Sequence, residues 1–379
     1  MMTEKLYYKD AYIKEFSADV LSASPVEDGW DVVLDRTAFF PEEGGQSSDK
    51  GYIDDALVKQ VFEQDGIVHH IIDKALSGKK IKARLLFDER FEKMQLHTAE
   101  HILCGIIHTL FGFDNVGFHL GDDEVTFDVN GVMSREMLDR VETLANEAVF
   151  ANIDVTASFP SEEELKNTEY RAKLDLTENV RIVRIGDVDA CACCAPHVAK
   201  TGEIGLIKIL DFMKHRGGTR MWLVAGRRAL SDYREKYENI LKISAHLSTP
   251  QNETASTLEK YIKDTEEIKR ALKSARLSLA ENMASAVTEK EGNGVFVLDG
   301  FSMDELRAFS NAAKDKIGGF LVALSAEGEE YKYVISSQDE ISLKIKEINT
   351  ALSGKGGGRG NMAQGSFSAD LDKIKEYFA

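Results

Sequence analysis

The sequence predicts an α+β chain built from four successive parts: a small N-terminal β-barrel, an α/β-sandwich core, an antiparallel helical arm and a C-terminal α/β domain. Three observations carry this. Short alternating apolar runs punctuated by glycine fill residues 7–86, a glycine-free stretch with a seven-residue repeat fills 230–291, and strands mixed with helices follow it.

The first part, residues 1–88, holds runs such as Trp30–Leu34 and Gly66–Ile72, whose period of two suits a small closed antiparallel sheet. The second, 89–229, opens on a helical pattern running from about Phe87 through Phe111. Strands are expected at Glu124–Val129 and Val180–Ile185, with a helix over Ser134–Asn152 between them. In the third, 230–291, Leu258, Thr265, Leu272, Leu279 and Ala286 recur every seventh position, a coiled-coil-like seam. Pro250 interrupts it, since proline cannot continue a helix interior, so two antiparallel helices are expected. The fourth, 292–379, reads as strand, helix, strand, strand and helix, with strands at Val295–Leu298, Phe320–Ser325 and Tyr331–Ser336. The run Gly354–Gly365 precedes a last helix at Asp370–Tyr377.

The composition of 379 residues, 43% apolar and 29% charged, is that of an ordinary globular protein. No apolar run approaches the ~20 residues needed to span a bilayer, and the polar N-terminus does not read as a signal peptide, so a cytoplasmic protein is expected. The net charge of −17 argues against loose binding to nucleic acid. A local basic patch remains open at Lys214, His215, Arg216, Arg220, Arg227 and Arg228, and an ordinary solvated face is its competing explanation.

Four cysteines are too few for a disulfide framework, and Cys191, Cys193 and Cys194 crowd together, which favours metal binding. His97 and His101 lie four apart in a helical stretch and share a face. Cys193 and His197 repeat that spacing, and sulfur with nitrogen ligands selects zinc over calcium or magnesium. Cys191 and Cys194 compete with Cys193 as ligand. Cys104 and His108 continue the face of His97 and His101, but a buried thiol and a satisfied histidine are their simpler roles, and His119 and His215 have no partner spacing. Four protein ligands would suit a structural site, whereas three histidines to one cysteine lean toward catalysis. Glu100 sits beside His101 but on another helix face, and no catalytic role is assigned to it.

At this point the sequence resembles a family over nearly its whole length. Thr37–Gly51, with Gly44, Gly45 and Gln46, resembles the glycine-rich segment opening the editing region of alanyl-tRNA synthetases. His97–His101 matches that region's first metal motif, and Val180–Leu206 its second. Gly356–Gly365 is similar to the glycine-rich end of the synthetases' C-terminal domain, shared with DHH-type phosphoesterases. With no aminoacylation domain ahead of the barrel segment, the resemblance is to the long form of the free-standing AlaX-type trans-editing proteins. It implies zinc held by His97, His101, Cys193 and His197, with Gln46 and Thr37 lining an amino-acid pocket. It further implies hydrolysis of tRNA for alanine mischarged with serine or glycine.

Gly44 and Gly45 are expected near that substrate. Lys355 and Arg359 are expected to meet tRNA phosphate, and the C-terminal domain and arm to bind the tRNA body or a second copy of the chain. The sequence departs from the family where Cys194, Ala195 and Pro196 replace two glycines and a threonine. Two other functions fit the same residues: a zinc-stabilised tRNA-binding or dimerisation module without activity, and an editing hydrolase for another mischarged tRNA.

Overall fold

The computed structural model describes residues 2–122, 124–172 and 180–379. It is a mixed α/β chain that divides into two compact units, Met1–Asn239 and Ile240–Ala379.

The first unit opens on six strands, β1 (Glu15–Val26), β2 (Gly29–Leu34), β3 (Gly51–Ile53), β4 (Ala56–Gln64), β5 (Ile67–Ile72) and β6 (Lys80–Leu85). They close into a barrel in the order β1-β2-β5-β4-β3-β6. The period of two is plain in β6, where Ile81, Ala83 and Leu85 are buried while Lys80, Lys82 and Arg84 are exposed. Val32, Leu34, Val58, Val61 and Ile72 fill the interior with them.

Helix α1 (Phe87–Phe111) follows at once. Asp88 and Glu89 lie in its first turn, where carboxylates suit the positive end of the helix dipole. It ends at Gly112, which adopts φ 68° and donates its N–H to the His108 carbonyl. Buried Arg90 fixes the helix to the segment between barrel strands, donating from Nε to Asp49 at 2.9 Å and pairing with it through Nη2 as well. A charge taken out of water needs such a partner.

Strands β7 (Asn115–Leu120) and β8 (Val125–Val129) precede α2 (Arg135–Phe150), whose N-cap Ser134 accepts from the Met137 amide. Leu138, Val141, Ala145 and Val149 put the apolar stripe of α2 inward at helical spacing. Strands β9 (Val155–Ser158), β10 (Ile182–Ile185) and β11 (Asp189–Ala192) form a three-stranded antiparallel sheet. Strands β12 (Ile207–His215) and β13 (Gly218–Ala225) complete a second sheet in the order β12-β13-β8-β7. Leu103 and Ile107 of α1, Val141 of α2, and Phe127, Met221 and Leu223 of that sheet share one core.

Helix α3 (Gly226–Leu247) runs through the division between the units, and α4 (Thr254–Ser285) follows the break at Pro250. The heptad residues Leu258, Leu272 and Leu279 of α4 are exposed. Ala280 and Ala284, near its end, instead pack with Leu306 and Phe309 of α5 (Met303–Ala313). Strands β14 (Gly294–Val297), β15 (Leu321–Glu327), β16 (Glu330–Ser336), β17 (Gly354–Arg359) and β18 (Met362–Phe367) form a sheet ordered β14-β15-β16-β18-β17. Helices α6 (Ile345–Ala351) and α7 (Leu371–Tyr377) cover it, with Ile348 and Ile374 in the core. The glycine run forms a β-hairpin, in which Gly354–Arg359 pairs with Met362–Phe367. Glycine discourages a strand on propensity alone; here the close packing of the pair requires it, since a Cβ on Gly356 would stand 2.4 Å from the Gln364 carbonyl oxygen.

Candidate metal centre

Helix α1 delivers His97 and His101 from successive turns, and the turn after β11 delivers Cys193 and His197. The ligand atoms of these four residues all lie within 4.8 Å of one another. Cys193 Sγ is 3.6 Å from His97 Nε2 and 3.3 Å from His197 Nε2. Tetrahedral zinc with ordinary bond lengths separates sulfur from nitrogen by about 3.6 Å, so the donor set fits that ion. The three histidines are buried, while Cys193 is half-buried and forms the more open edge of the cluster.

Each histidine commits the same nitrogen to the protein. His97 Nδ1 meets Gln46 Oε1 at 2.8 Å, His101 Nδ1 meets Asp189 Oδ2 at 3.0 Å, and His197 Nδ1 meets Thr98 Oγ1 at 3.0 Å. The Thr98 hydroxyl gives its proton to the Met94 carbonyl at 2.7 Å, so it must accept from His197. Amide oxygen, carboxylate and hydroxyl are therefore all acceptors here, and all three rings are N–H at Nδ1. The Nε2 lone pairs are left for a metal, the arrangement that outer hydrogen bonds impose on histidine ligands.

Charge follows the same logic. Burial opposes ionisation of the Cys193 thiol, but His97, His197 and His101 outweigh it and hold its pKa well below the ordinary thiol value. Burial pushes His197 down to about 3, which keeps its Nε2 unprotonated at neutral pH. Burial also opposes protonation of His101, yet Cys191, Cys193 and Asp189 outweigh it and raise its pKa, and the same negative surroundings favour a metal cation at Nε2 in place of that proton. Asp189 is itself held by Arg171, which donates from Nε at 2.7 Å and from Nη2 at 3.0 Å. Cys191 joins His101 and Asp189 in a second close group, but the guanidinium already gripping Asp189 suits a support rather than another cation site.

The ligand turn is pinned from outside. Arg181 donates to the Cys193 carbonyl at 2.9 Å and to the Ala195 carbonyl at 2.8 Å, and its guanidinium lies over the Tyr8 ring. The Gly44–Gln46 turn closes the other side. Gly44 and Gly45 have φ of 63° and 83°, and a Cβ on Gly45 would stand 2.3 Å from the Phe118 carbonyl oxygen, so the close approach to β7 demands glycine. That approach brings Gln46 to His97. The amide Nε2 of Gln46 is buried and has no hydrogen-bond partner.

The structure thus brings Gln46, Gly44 and Gly45 to the four ligands. Thr37 is placed differently: it is fully buried, its Oγ1 lies 2.8 Å from His70 Nε2 and it accepts from the Phe39 amide. Lys355 and Arg359 lie exposed on β17, in the second unit. Cys104 is buried against Glu100, and His108 meets Asp114. Of the basic patch, Arg220 pairs with Asp128, Arg227 with Asp88 and Arg228 with Glu92, which neutralises much of it. Sequence reasoning missed Asp189, Thr98, Arg171 and Arg181. Asp189 alternates with Cys191 and Cys193 at the period of a strand, and Thr98 lies inside the first histidine motif, so two of the four carried a readable signal.

Comparison with known proteins agrees with this arrangement. Residues 3–86 match the class II (A) tRNA synthetase model, 180–222 the second additional domain of threonyl and alanyl tRNA synthetases, and 280–379 the DHHA1 domain. Alanyl-tRNA editing protein AlaX-L of Pyrococcus horikoshii is 30% identical over 98% of this chain and 96% of its own length. The chain belongs to the family of alanyl-tRNA editing proteins. Alanine–tRNA ligases are similar too: that of Halobacterium salinarum is 32% identical over 91% of this chain and 40% of the ligase. That of Pyrococcus abyssi is 31% identical over 99% and 43%. This family member therefore corresponds to about two fifths of a ligase, and the 180–222 match contains Cys193 and His197. Among the described residues no helix is long and apolar enough to cross a membrane.

Proposed function

We propose that this chain is a zinc-dependent trans-editing hydrolase that removes serine or glycine from mischarged tRNA for alanine. As an alanyl-tRNA editing protein it is an aminoacyl-tRNA deacylase, cleaving the ester between amino acid and terminal ribose. The observation that carries the reading is three Nε2 lone pairs and one thiol converging beside an unpartnered buried amide. His97, His101, Cys193 and His197 would hold the ion, which when bound supplies Lewis acidity toward a carbonyl or lowers the pKa of a water toward ~7.

Gln46 does two things in this scheme. Its Oε1 orients His97, and its free N–H groups offer hydrogen bonds to a substrate oxygen. A serine hydroxyl would satisfy them. Glycine leaves room for a water to do so, whereas the methyl of alanine excludes that water and leaves the amide unpaired, a cost of about 1–3 kcal/mol. Thr37 acts from farther back, tying the segment ahead of the Gly44–Gln46 turn to barrel strand β5 through His70. Lys355 and Arg359 would meet phosphate of the tRNA body, and the second unit would bind that body or a second copy of the chain.

The test is release of amino acid from tRNA for alanine charged in turn with serine, glycine and alanine. Serine and glycine are expected to leave and alanine to stay. No release of either at stoichiometric protein would leave the second reading, a zinc-stabilised module without activity, which four protein ligands closing a tetrahedral site favour. Lys355→Ala with Arg359→Ala should weaken tRNA binding and lower its salt dependence by about one to two phosphate contacts; an unchanged salt slope would remove β17 from the tRNA interface.

A further inference from the structure

Glu43 stands at the edge of the metal centre with no role in holding it. It precedes the Gly44–Gln46 turn, which it closes by exchanging backbone hydrogen bonds with Gln46 at 3.2 and 3.0 Å. Its side chain is exposed. A Cβ on Gly44 would lie 3.5 Å from Cys194 Sγ, so the turn that Glu43 begins meets the ligand turn one residue from Cys193. Cations on neighbouring segments are committed elsewhere: Lys5 pairs with Glu63 at 2.8 Å, and Arg181 binds the Cys193 and Ala195 carbonyls. Among the described residues no lysine, arginine or histidine forms an ion pair with Glu43.

Two buried polar atoms without partners belong to the same neighbourhood. One is Gln46 Nε2. The other is the Tyr7 hydroxyl, whose ring packs with Phe40 and Ala195 beside Cys193 and Cys194. Buried polar groups of this kind ordinarily have partners, so their absence marks a place for a ligand. The three groups differ in what they accept. The Gln46 amide nitrogen only donates and suits an oxygen, the carboxylate only accepts and suits N–H, and the phenol does either. A donor beside an acceptor-only anion matches an ester that carries an ammonium on the next carbon.

We propose that Glu43 binds the free α-ammonium of the aminoacyl group, with the Tyr7 oxygen as a second acceptor, so that the site takes aminoacyl esters whose amine is unblocked. This rests on the deacylase reading above and names the part of the substrate that Glu43 recognises. The carboxylate is a binding group here, and the ester itself is left to the residues around the metal.

The experiment compares seryl-tRNA with glyceryl-tRNA, the same ester with a hydroxyl in place of the amine, on the full chain. Wild type should prefer the seryl ester. Glu43→Gln should lose about tenfold in kcat/KM on seryl-tRNA, the size of one charge-assisted hydrogen bond, and keep its rate on glyceryl-tRNA. Glu43→Asp should recover part of the loss, and zinc content equal to wild type in both variants shows that the turn is intact. Equal losses on the two esters, or no loss on either, overturn the proposal while leaving the deacylase reading in place. A wild-type protein that hydrolyses neither ester overturns both.

Discussion

The barrel and the metal centre both bury histidine, and they treat its two nitrogens differently. In the barrel, His70 Nδ1 lies 3.0 Å from the Val32 carbonyl oxygen and Nε2 lies 2.8 Å from the Thr37 hydroxyl, so both sides of the ring are satisfied by the protein. In the centre, His97, His101 and His197 are satisfied at Nδ1, and their Nε2 atoms converge on a thiol. Burial is common to all four residues and distinguishes nothing. What separates a structural histidine from a ligand is whether the second nitrogen has been given a partner.

The largest effect that tests this contrast is loss of the metal itself. Cys193→Ala should empty the site of zinc and cut deacylation by about two orders of magnitude or more, read by elemental analysis and by serine release. Full zinc content in that variant would pass the ligand role to Cys191 or Cys194. The next is a pH effect confined to the barrel. Burial lowers the pKa of His70 from 6.5 to about 4. In the unfolded chain the ring takes up a proton as pH falls below ~6.5, whereas in the folded barrel it resists until about 4. Its contribution is therefore complete above pH ~6.5 and is lost as pH falls toward 4, roughly 3 kcal/mol in all. Denaturation of wild type and His70→Gln across that window should show the steeper acid loss in wild type. Parallel curves would mean that His70 titrates alike in both states.

Smaller effects separate support from ligation. Asp189→Asn keeps the shape but weakens the hydrogen bond to His101, and zinc affinity should fall by about 10–100-fold in a chelator competition. Unchanged affinity would show that the carboxylate does not set the orientation of His101. Smallest is Thr37→Val, which leaves His70 Nε2 buried without a donor and should cost about 1–3 kcal/mol of stability with zinc content unchanged. If serine release collapsed while stability held, Thr37 would be a pocket residue after all.

The sequence was informative where the signal is local. Helix Phe87–Phe111 follows from its apolar periodicity and the glycine after it, and the paired spacings of His97 with His101 and Cys193 with His197 needed only helix and turn geometry. The helix predicted over Ser134–Asn152 is present as Arg135–Phe150, Ser134 being its cap. Asp189 was legible only in part: its alternation with Cys191 and Cys193 marks one strand face, but its role as a support comes from Arg171 and from His101 on another element. The hairpin at Gly354–Phe367 was hidden for a related reason. Six glycines among residues 354–365 carry no strand propensity, and the pairing with β16 and β17 that orders them is not written in their neighbours. The heptad pattern of α4 was correctly read as helix, but the seam told nothing about what it meets: Leu258, Leu272 and Leu279 lie exposed.

The committed Nδ1 atoms also bear on when the ion is taken up. Gln46, Asp189 and Thr98 select each tautomer through bonds that form as the chain folds, using residues from the glycine turn, a strand and the helix itself. Tertiary contacts rather than the ion thus orient the rings, and the expected order is folding first and loading second: a chelated protein should remain folded and recover its metal without passing through an unfolded chain, whereas unfolding on chelation would show that binding and folding are coupled.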